Sequence, residues 1–129
     1  MAIRIVQLGS PRIRGEGLRI GTVRRPPRGV PKAEYADRNF YDVWLPQLAP
    51  SADAIDRLRQ SANPAAAWRR FEKRYTAEMN RPDNRRLLEL LAAQSHHVNF
   101  SVGCYCENED RCHRSVLRQI LRSHGARLG

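Results

Sequence analysis

The sequence lacks long apolar runs and has few cysteines, and both absences narrow the class of protein. No segment approaches the roughly 20 apolar residues that a membrane-spanning helix requires. The first eight residues, interrupted by Arg4 and Gln7, are too short an apolar stretch for a signal peptide. The three cysteines are clustered, at Cys104, Cys106 and Cys112, which is not the disulfide framework of a secreted domain. We therefore predict a cytoplasmic protein with no membrane partner.

Acidic residues and lysines are also scarce. The chain of 129 residues carries 13 Asp and Glu against 23 Lys and Arg, a formal net charge of +10, and Lys32 and Lys73 are its only lysines. A basic excess of this size favours anionic partners, such as nucleic acid, nucleotides, phosphorylated metabolites or acidic protein surfaces. A genome rich in GC would produce the same arginine bias without any functional meaning. The length suits one domain over residues 1–129.

Hydrophobic periodicity predicts an α/β domain. Residues 3–8, 18–23, 41–45 and 98–106 are typical of strands, and the last of these alternates apolar with small or polar residues. Between them the periodicity becomes helical, with Ser51 and Asn63 as predicted N-caps. This order favours helices packed on a small sheet.

Two apolar stripes and one glycine complete the helical pattern. Trp68, Phe71, Tyr75 and Met79 recur at spacings of three and four, which indicates core packing rather than a stacking site for bases or a cofactor. A further helix over residues 83–95 is predicted to turn four leucines inward: Leu87, Leu88, Leu90 and Leu91. A final helix begins near residue 112 and ends at Gly125.

The run from Gly103 to Leu117 is the best candidate for chemistry. It connects a predicted strand to the final helix, and ligands in α/β sheets collect at the carboxyl ends of strands. With Asp110 as predicted N-cap, Cys112, His113 and Arg114 occupy the opening turn, whose free amides attract anions. A thiol there is activated by the helix dipole, His moves protons near neutral pH, and Arg binds phosphate or carboxylate.

Other interpretations of these residues remain open. The thiols can be small buried side chains with no chemistry. They can bind zinc, with Cys104, Cys106, Cys112 and His113 as ligands, although C-x-C-x5-C-H is not a usual zinc pattern. Cys106 and Cys112 can also form a redox pair. The spacing from Cys112 to Arg118 matches the C-x5-R loop of cysteine phosphatases, but the intervening residues contain no glycine and look helical.

The same run resembles a known family. Cys104-x-Cys106-Glu107, followed by Cys112-His113-Arg114-Ser115-x-Leu117, is similar to the signature of the domain of unknown function 488. Further matches resemble its YeaO-like branch and extend over nearly the whole chain: Leu18-Arg19-Ile20, Arg24, Pro27-Arg28-Gly29, Lys32, Trp44, Pro50-Ser51, Trp68, Phe71, Tyr75 and Glu78.

The resemblance implies a single three-layer, Rossmann-like α/β domain with a small, mainly parallel sheet flanked by helices, and it implies no particular activity. The sequence departs from the branch at two positions. Val23 stands where the branch often has an acidic residue, and Cys112 stands where it has Asn. His113 is therefore the element that both forms share.

These observations lead to one functional hypothesis with alternatives. We predict an anionic-ligand site, for a nucleotide-like molecule, a phosphorylated metabolite or nucleic acid, and a hydrolase or transferase as the possible enzyme class. The predicted catalytic residues are His113, Cys112, Glu107 and Arg114, and the predicted ligand-binding residues are Arg24, Arg28, Lys32 and Arg111. No cofactor or metal is predicted by this hypothesis. The alternatives are a non-enzymatic module that binds nucleic acid or protein, and a cysteine-based redox or metal site.

Overall fold

The structure, a computed structural model, describes residues 1–129. Four parallel strands form one sheet with the order β1-β4-β2-β3. Their bounds are Ile3–Gln7 for β1, Leu18–Gly21 for β2, Val43–Trp44 for β3 and Phe100–Cys104 for β4. All strands run the same way, so their carboxyl ends meet at one edge of the sheet, where α/β domains bind ligands.

Four α-helices follow the strands in the predicted order. Their bounds are Ala52–Gln60 for α1, Pro64–Met79 for α2, Pro82–Gln94 for α3 and His113–Ser123 for α4. The Ser51 hydroxyl accepts a hydrogen bond from the Ala54 amide, and the Asn63 side chain accepts one from Ala66, so both predicted N-caps are confirmed. Gly125 follows α4 with a φ of +87°, a conformation that glycine adopts without steric cost.

One face of the sheet packs on the helices. Apolar side chains of β1, β2 and β4 join residues of all four helices in a single core: Ile3, Ile20, Leu48, Ala54, Phe71, Tyr75, Met79, Leu88, Leu91, Phe100, Val102, Val116, Leu117 and Leu121. The α2 stripe supplies three of these side chains, and Trp68 packs at the margin, which confirms its prediction as core. None of the helices has the length and hydrophobicity required to span a bilayer.

Loops and turns cover the other face and complete a three-layer-like arrangement. Arg19 of β2 is fully buried there, bound to Glu16 and to the carbonyls of Ser10 and Asn39. Because β4 lies between β1 and β2 with both faces covered, all five of its residues are buried. A Cβ on Gly103 would lie 2.7 Å from the Val6 carbonyl oxygen, so only glycine fits there. The predicted α/β fold with a small parallel sheet is confirmed.

Several details of the predicted pattern are wrong. The strands predicted over residues 18–23 and 41–45 are shorter, at Leu18–Gly21 and Val43–Trp44. Leu90 is 55% exposed, since it lies on the outer face of α3 and only its neighbours reach the core. The last strand is shorter than residues 98–106, because Val98 and Cys106 lie outside the ladder of β4 with its neighbours and are exposed.

Candidate functional site

The carboxyl ends of β2 and β4 bring together most of the predicted catalytic residues. Beyond β4 the chain makes one 3-10 turn over Glu109–Arg111 and then enters α4. Cys112 is the N-cap residue of α4, and its side chain makes no capping bond. The prediction of Asp110 as N-cap is wrong, because the intervening turn carries that residue away from the helix and Asn108 caps the turn instead.

Three free thiols form a compact group, which we call the thiol cluster: Cys104, Cys106 and Cys112. Their sulfur atoms all lie within 4.8 Å of one another, and the Sγ atoms of Cys104 and Cys106 are 3.6 Å apart. Cys104 and Cys112 are buried, whereas Cys106 is exposed. The cluster can therefore be reached from solvent at one of its three sulfurs.

Hydrogen bonds within the thiol cluster give its three thiols different pKa values. Donation from Cys104 and Cys112, helped by the charge of Arg114, lowers the pKa of Cys106 to about 3. The same donation to Cys106 raises the pKa of Cys104, the proton donor. Hydrogen bonding with Cys104 is also the main factor that lowers the pKa of Cys112. These hydrogen bonds favour the thiolate form at the exposed sulfur of Cys106 over the thiolate form of Cys104.

His113 connects the thiol cluster to the end of β2. Its Nε2 lies 2.8 Å from the carbonyl oxygen of Thr22 and 3.3 Å from the Thr22 hydroxyl, which itself donates to the Gly103 carbonyl. A carbonyl only accepts, so Nε2 carries the proton in this arrangement. Nδ1 then presents a lone pair to Cys112, whose Sγ is 3.8 Å away. The ring packs edge-on against Tyr75, with centroids 5.4 Å apart.

Arg114 is buried beside the thiol cluster with an incomplete set of partners. One Nη2–H donates to the Cys106 carbonyl, at 2.5 Å, and only 3% of the residue is exposed. Its Nε is buried without any hydrogen-bond partner. Buried donors of this kind are rare in proteins, and each one calls for an explanation.

The other predicted residues near this turn lie outside the thiol cluster. Glu107 is exposed and its carboxylate makes no hydrogen bond. Arg111 is exposed and its guanidinium lies 5.9 Å from the centre of the Trp68 ring. Arg118 pairs with both oxygens of Glu109, at 2.7 and 2.9 Å, which lowers the pKa of that carboxyl. The C-x5-R segment is helical from its second residue on, so it forms no phosphate-binding loop.

The loop that follows β2 carries Arg24, Arg28 and Lys32, and only part of it faces the carboxyl edge of the sheet. The Arg24 guanidinium donates to the carbonyls of Pro50 and Ala49, at 3.2 and 3.3 Å, and no carboxylate pairs with it. Arg28 and Lys32 are exposed, and their side chains have no partner. Of the three predicted ligand-binding residues in this loop, Arg24 alone is fixed in position.

Arg24 lines a cavity of about 320 Å³ between the loop and the helices. The other lining residues are Pro46, Gln47, Ala49, Ser51, Glu78, Met79, Arg81 and Asn84. Glu78 is held there by the amide and hydroxyl of Ser51 and by Arg74. An adjacent cavity of about 400 Å³ shares Glu78 and Arg81 and is lined by further basic side chains, Arg70, Lys73 and Arg74. We call the two cavities together the basic cleft.

The thiol cluster and the basic cleft are neighbours but not one space. Tyr75 lies between them: its hydroxyl donates to the Leu48 carbonyl, next to the cleft, and its ring contacts His113. Burial raises the pKa of Tyr75 well above its usual value, so the phenol stays protonated.

Sequence reasoning missed Thr22, Tyr75 and Arg81 as site residues. Tyr75 belongs to a core stripe, and nothing in the local sequence distinguishes the other two.

Comparison with known proteins defines the class of this chain. A family model described as the active DUF488-N3 subclade, DUF488-N3a, matches residues 3–125. The chain therefore belongs to the DUF488 family, as the cysteine signature predicted. Its placement in the YeaO-like branch stays a prediction. No curated protein and no solved structure matches the chain.

Proposed function

We propose that this protein binds an anionic, phosphate-bearing ligand in the basic cleft. The observation that carries the proposal is Arg24, whose guanidinium is oriented by two backbone carbonyls and has no carboxylate partner. These bonds use Nε and Nη2, which leaves Nη1 free to donate to a ligand. Arginine held in one orientation binds phosphate bidentately at a reduced entropic cost.

The surroundings of Arg24 support the same ligand class. Arg81 lines both cavities and forms no ion pair, so its charge adds to that of Arg24. The one acidic lining residue, Glu78, already accepts bonds from Ser51 and Arg74. Each cavity is near the lower limit of small-ligand sites. A nucleotide or a short nucleic-acid segment suits the extended basic cleft better than a single small ion does.

Ligand binding by Arg24 is tested with pyrophosphate, AMP and a short single-stranded oligonucleotide in isothermal titration calorimetry. For Arg24→Gln we expect affinity to fall about tenfold or more, since a charge-assisted bond is worth about 1.5–3 kcal/mol. Arg14→Gln is the matched control, because it removes one charge from an exposed loop residue with no partner. Equal losses in both variants, or no binding by the wild type at low salt, would contradict the proposal.

A second candidate function is covalent catalysis on a ligand that binds at the thiol cluster rather than in the basic cleft. It is favoured by His113, which is oriented by the Thr22 carbonyl and presents Nδ1 to Cys112, an arrangement of orienter, base and nucleophile. In this scheme His113 takes the thiol proton, the Cys112 sulfur attacks an electrophilic phosphorus or carbon, and His113 returns the proton to the leaving group. Water then hydrolyses the intermediate, or an acceptor takes the transferred group.

The roles of the remaining predicted residues follow from position. Arg114 adjoins the thiol cluster and would offset negative charge in the transition state. Arg24, which the sequence places in the same role, lines the separate basic cleft. Glu107, which is exposed, is an alternative proton donor. The description of the matching family model as an active subclade supports an enzymatic role.

Covalent catalysis is tested by mass spectrometry of the protein incubated with candidate phosphate and acyl esters. The expected result is an adduct on Cys112 that is absent from Cys112→Ser. Because Cys112 is only 2% exposed, reaction also requires the loop around Cys106 to move. Ligand binding without adduct or turnover would leave a non-enzymatic binding module as the function.

A further inference from the structure

The thiol cluster is close to the dimensions of a metal site, and His113 adjoins it at Cys112. Zinc binds thiolate at about 2.3 Å and imidazole nitrogen at about 2.0–2.1 Å. A regular tetrahedron with these bonds has sulfur–sulfur edges of about 3.8 Å and sulfur–nitrogen edges of about 3.6 Å. Here the Sγ atoms of Cys104 and Cys106 are 3.6 Å apart, and Cys112 Sγ lies 3.8 Å from His113 Nδ1. All three sulfurs lie within 4.8 Å of one another, so small side-chain adjustments close the sulfur–sulfur edges. His113 lies outside this group of three and adjoins it only at Cys112, so its ring has to move toward the other two sulfurs to complete the tetrahedron.

The hydrogen bond on the far side of His113 fits the same interpretation. Histidine ligands of metals almost always donate their other ring N–H to a carboxylate, a backbone carbonyl or water, which fixes the tautomer. His113 makes such a bond from Nε2 to the Thr22 carbonyl, at 2.8 Å. The nitrogen that carries the lone pair is therefore the one that lies beside the thiols.

Arg114 supplies the charge that such a site requires. Three thiolates and one neutral imidazole around a divalent zinc ion leave one net negative charge. Arg114 adjoins Cys106 through a hydrogen bond to its carbonyl, and its Nε is buried without a partner. A buried cation with an unused donor is costly alone, and a thiolate of the metal site would relieve both costs.

We propose that Cys104, Cys106, Cys112 and His113 bind one zinc ion. The thiols that are protonated release their protons to solvent as their sulfurs bind the metal. Four protein ligands close the coordination sphere, as in structural zinc sites, so the ion would hold the loop between β4 and α4 in place. While it is bound, Cys112 is not available as a nucleophile. The site is separate from the basic cleft, so the anion-binding proposal does not depend on it.

The experiment uses the full-length chain, reduced and freed of metal, and titrates it with zinc in competition with a chromophoric chelator. Cobalt titration in parallel reports the donor set through its thiolate charge-transfer and tetrahedral d–d bands. We expect one zinc ion per wild-type chain. For Cys106→Ser, which changes an exposed side chain and leaves the core intact, we expect zinc affinity to fall more than about 100-fold, beyond the effect of losing an outer-shell partner.

Histidine variants provide the matched comparison. His113→Gln should weaken zinc binding and change the cobalt d–d bands, whereas His97→Gln, at an exposed position with no side-chain partner, should match the wild type. Wild-type protein that binds no zinc, or Cys106→Ser that binds it as tightly as the wild type, would overturn the proposal. Calorimetry with pyrophosphate on the same metal-free samples measures the basic cleft independently, so the failure of one proposal is not mistaken for failure of the other.

Discussion

Two buried polar groups in this domain differ in how completely their hydrogen bonds are satisfied. On the loop-covered face, Arg19 donates from Nε and Nη2 to Glu16 and from Nη1 to two carbonyls. Glu16 also accepts from the Ser101 hydroxyl at 2.9 Å. At the carboxyl edge, Arg114 makes one side-chain hydrogen bond and leaves Nε unused, beside three free thiols.

From this difference we expect Arg19 and Glu16 to act structurally and the groups around Arg114 to be available to a ligand or a metal ion. The Arg19–Glu16 pair is complete within the chain, so it has no capacity left for a ligand and serves to fix the loop on the sheet. The groups around Arg114 have donors and lone pairs to spare, which a metal ion or a ligand can use. Incomplete satisfaction at a strand end is therefore a better indication of a site than burial of charge alone.

The largest expected effect comes from breaking the complete pair. In Glu16→Gln the Arg19 guanidinium stays buried without its counter-charge, and loss of one partner from a buried pair costs about 3–5 kcal/mol. Chemical denaturation in urea measures the change in the free energy of unfolding. Glu34→Gln, at an exposed glutamate with no partner, should change it by less than about 0.5 kcal/mol. A loss below about 1 kcal/mol for Glu16→Gln would refute the structural role.

A smaller effect is expected from Arg114→Met in metal-free protein. The change removes a buried cation that makes a single hydrogen bond, and methionine fills a similar volume. We expect a loss of about 1–2 kcal/mol in the same urea measurement. If Arg114→Met costs as much as Glu16→Gln, the two groups are equally structural and the distinction between them fails.

The smallest effect is a dependence of stability on acid. Burial alone would raise the pKa of Glu16, but hydrogen bonds from Arg19 and Ser101 outweigh it and hold the pKa below 4.5. A carboxyl with a lowered folded-state pKa stabilises the fold above its unfolded pKa, and this contribution is lost as pH falls through the folded value. One such group gives a slope of at most about 1.4 kcal/mol per pH unit.

Urea midpoints measured from pH 6 to pH 3 test this dependence. The wild type should lose stability below about pH 4.5, and Glu16→Gln should lose less over the same range because it lacks this carboxyl. The variant should still lose some stability, since Asp42 and Glu109, whose pKa values are also lowered, titrate in both proteins. Parallel curves for the two proteins would show that Glu16 contributes nothing to the acid response.

The sequence predicted the strands and helices better than it predicted the tertiary contacts between them. N-caps at Ser51 and Asn63, the α2 stripe and the C-terminal glycine are local signals, and each is confirmed. The predictions for Asp110 and Leu90 were wrong because the local sequence was compatible with two structures. An extra 3-10 turn precedes α4, so the N-cap of that helix is Cys112. Of the four leucines of α3, Leu90 lies on the outer face and is exposed.

Some groupings of polar side chains could likewise be predicted from the sequence and others could not. The clustering of these groups is visible in the sequence, because ten consecutive positions of one strand, turn and helix contain all four of them: Cys104, Cys106, Cys112 and His113. The Arg19–Glu16 pair was not predicted, although its members are three residues apart, because nothing local indicates that both are buried.

What the sequence alone determined is the order of strands and helices, the family and the local concentration of thiols at a strand-to-helix turn. Only the tertiary structure decided which groups those thiols meet. Thr22 orients His113 across 91 positions of the chain, and Arg24 joins Arg81 in one cavity because β2 and α3 border the same edge. Side-chain periodicity and capping act within a few residues, whereas such pairings depend on strand order and register, which the whole core sets at once.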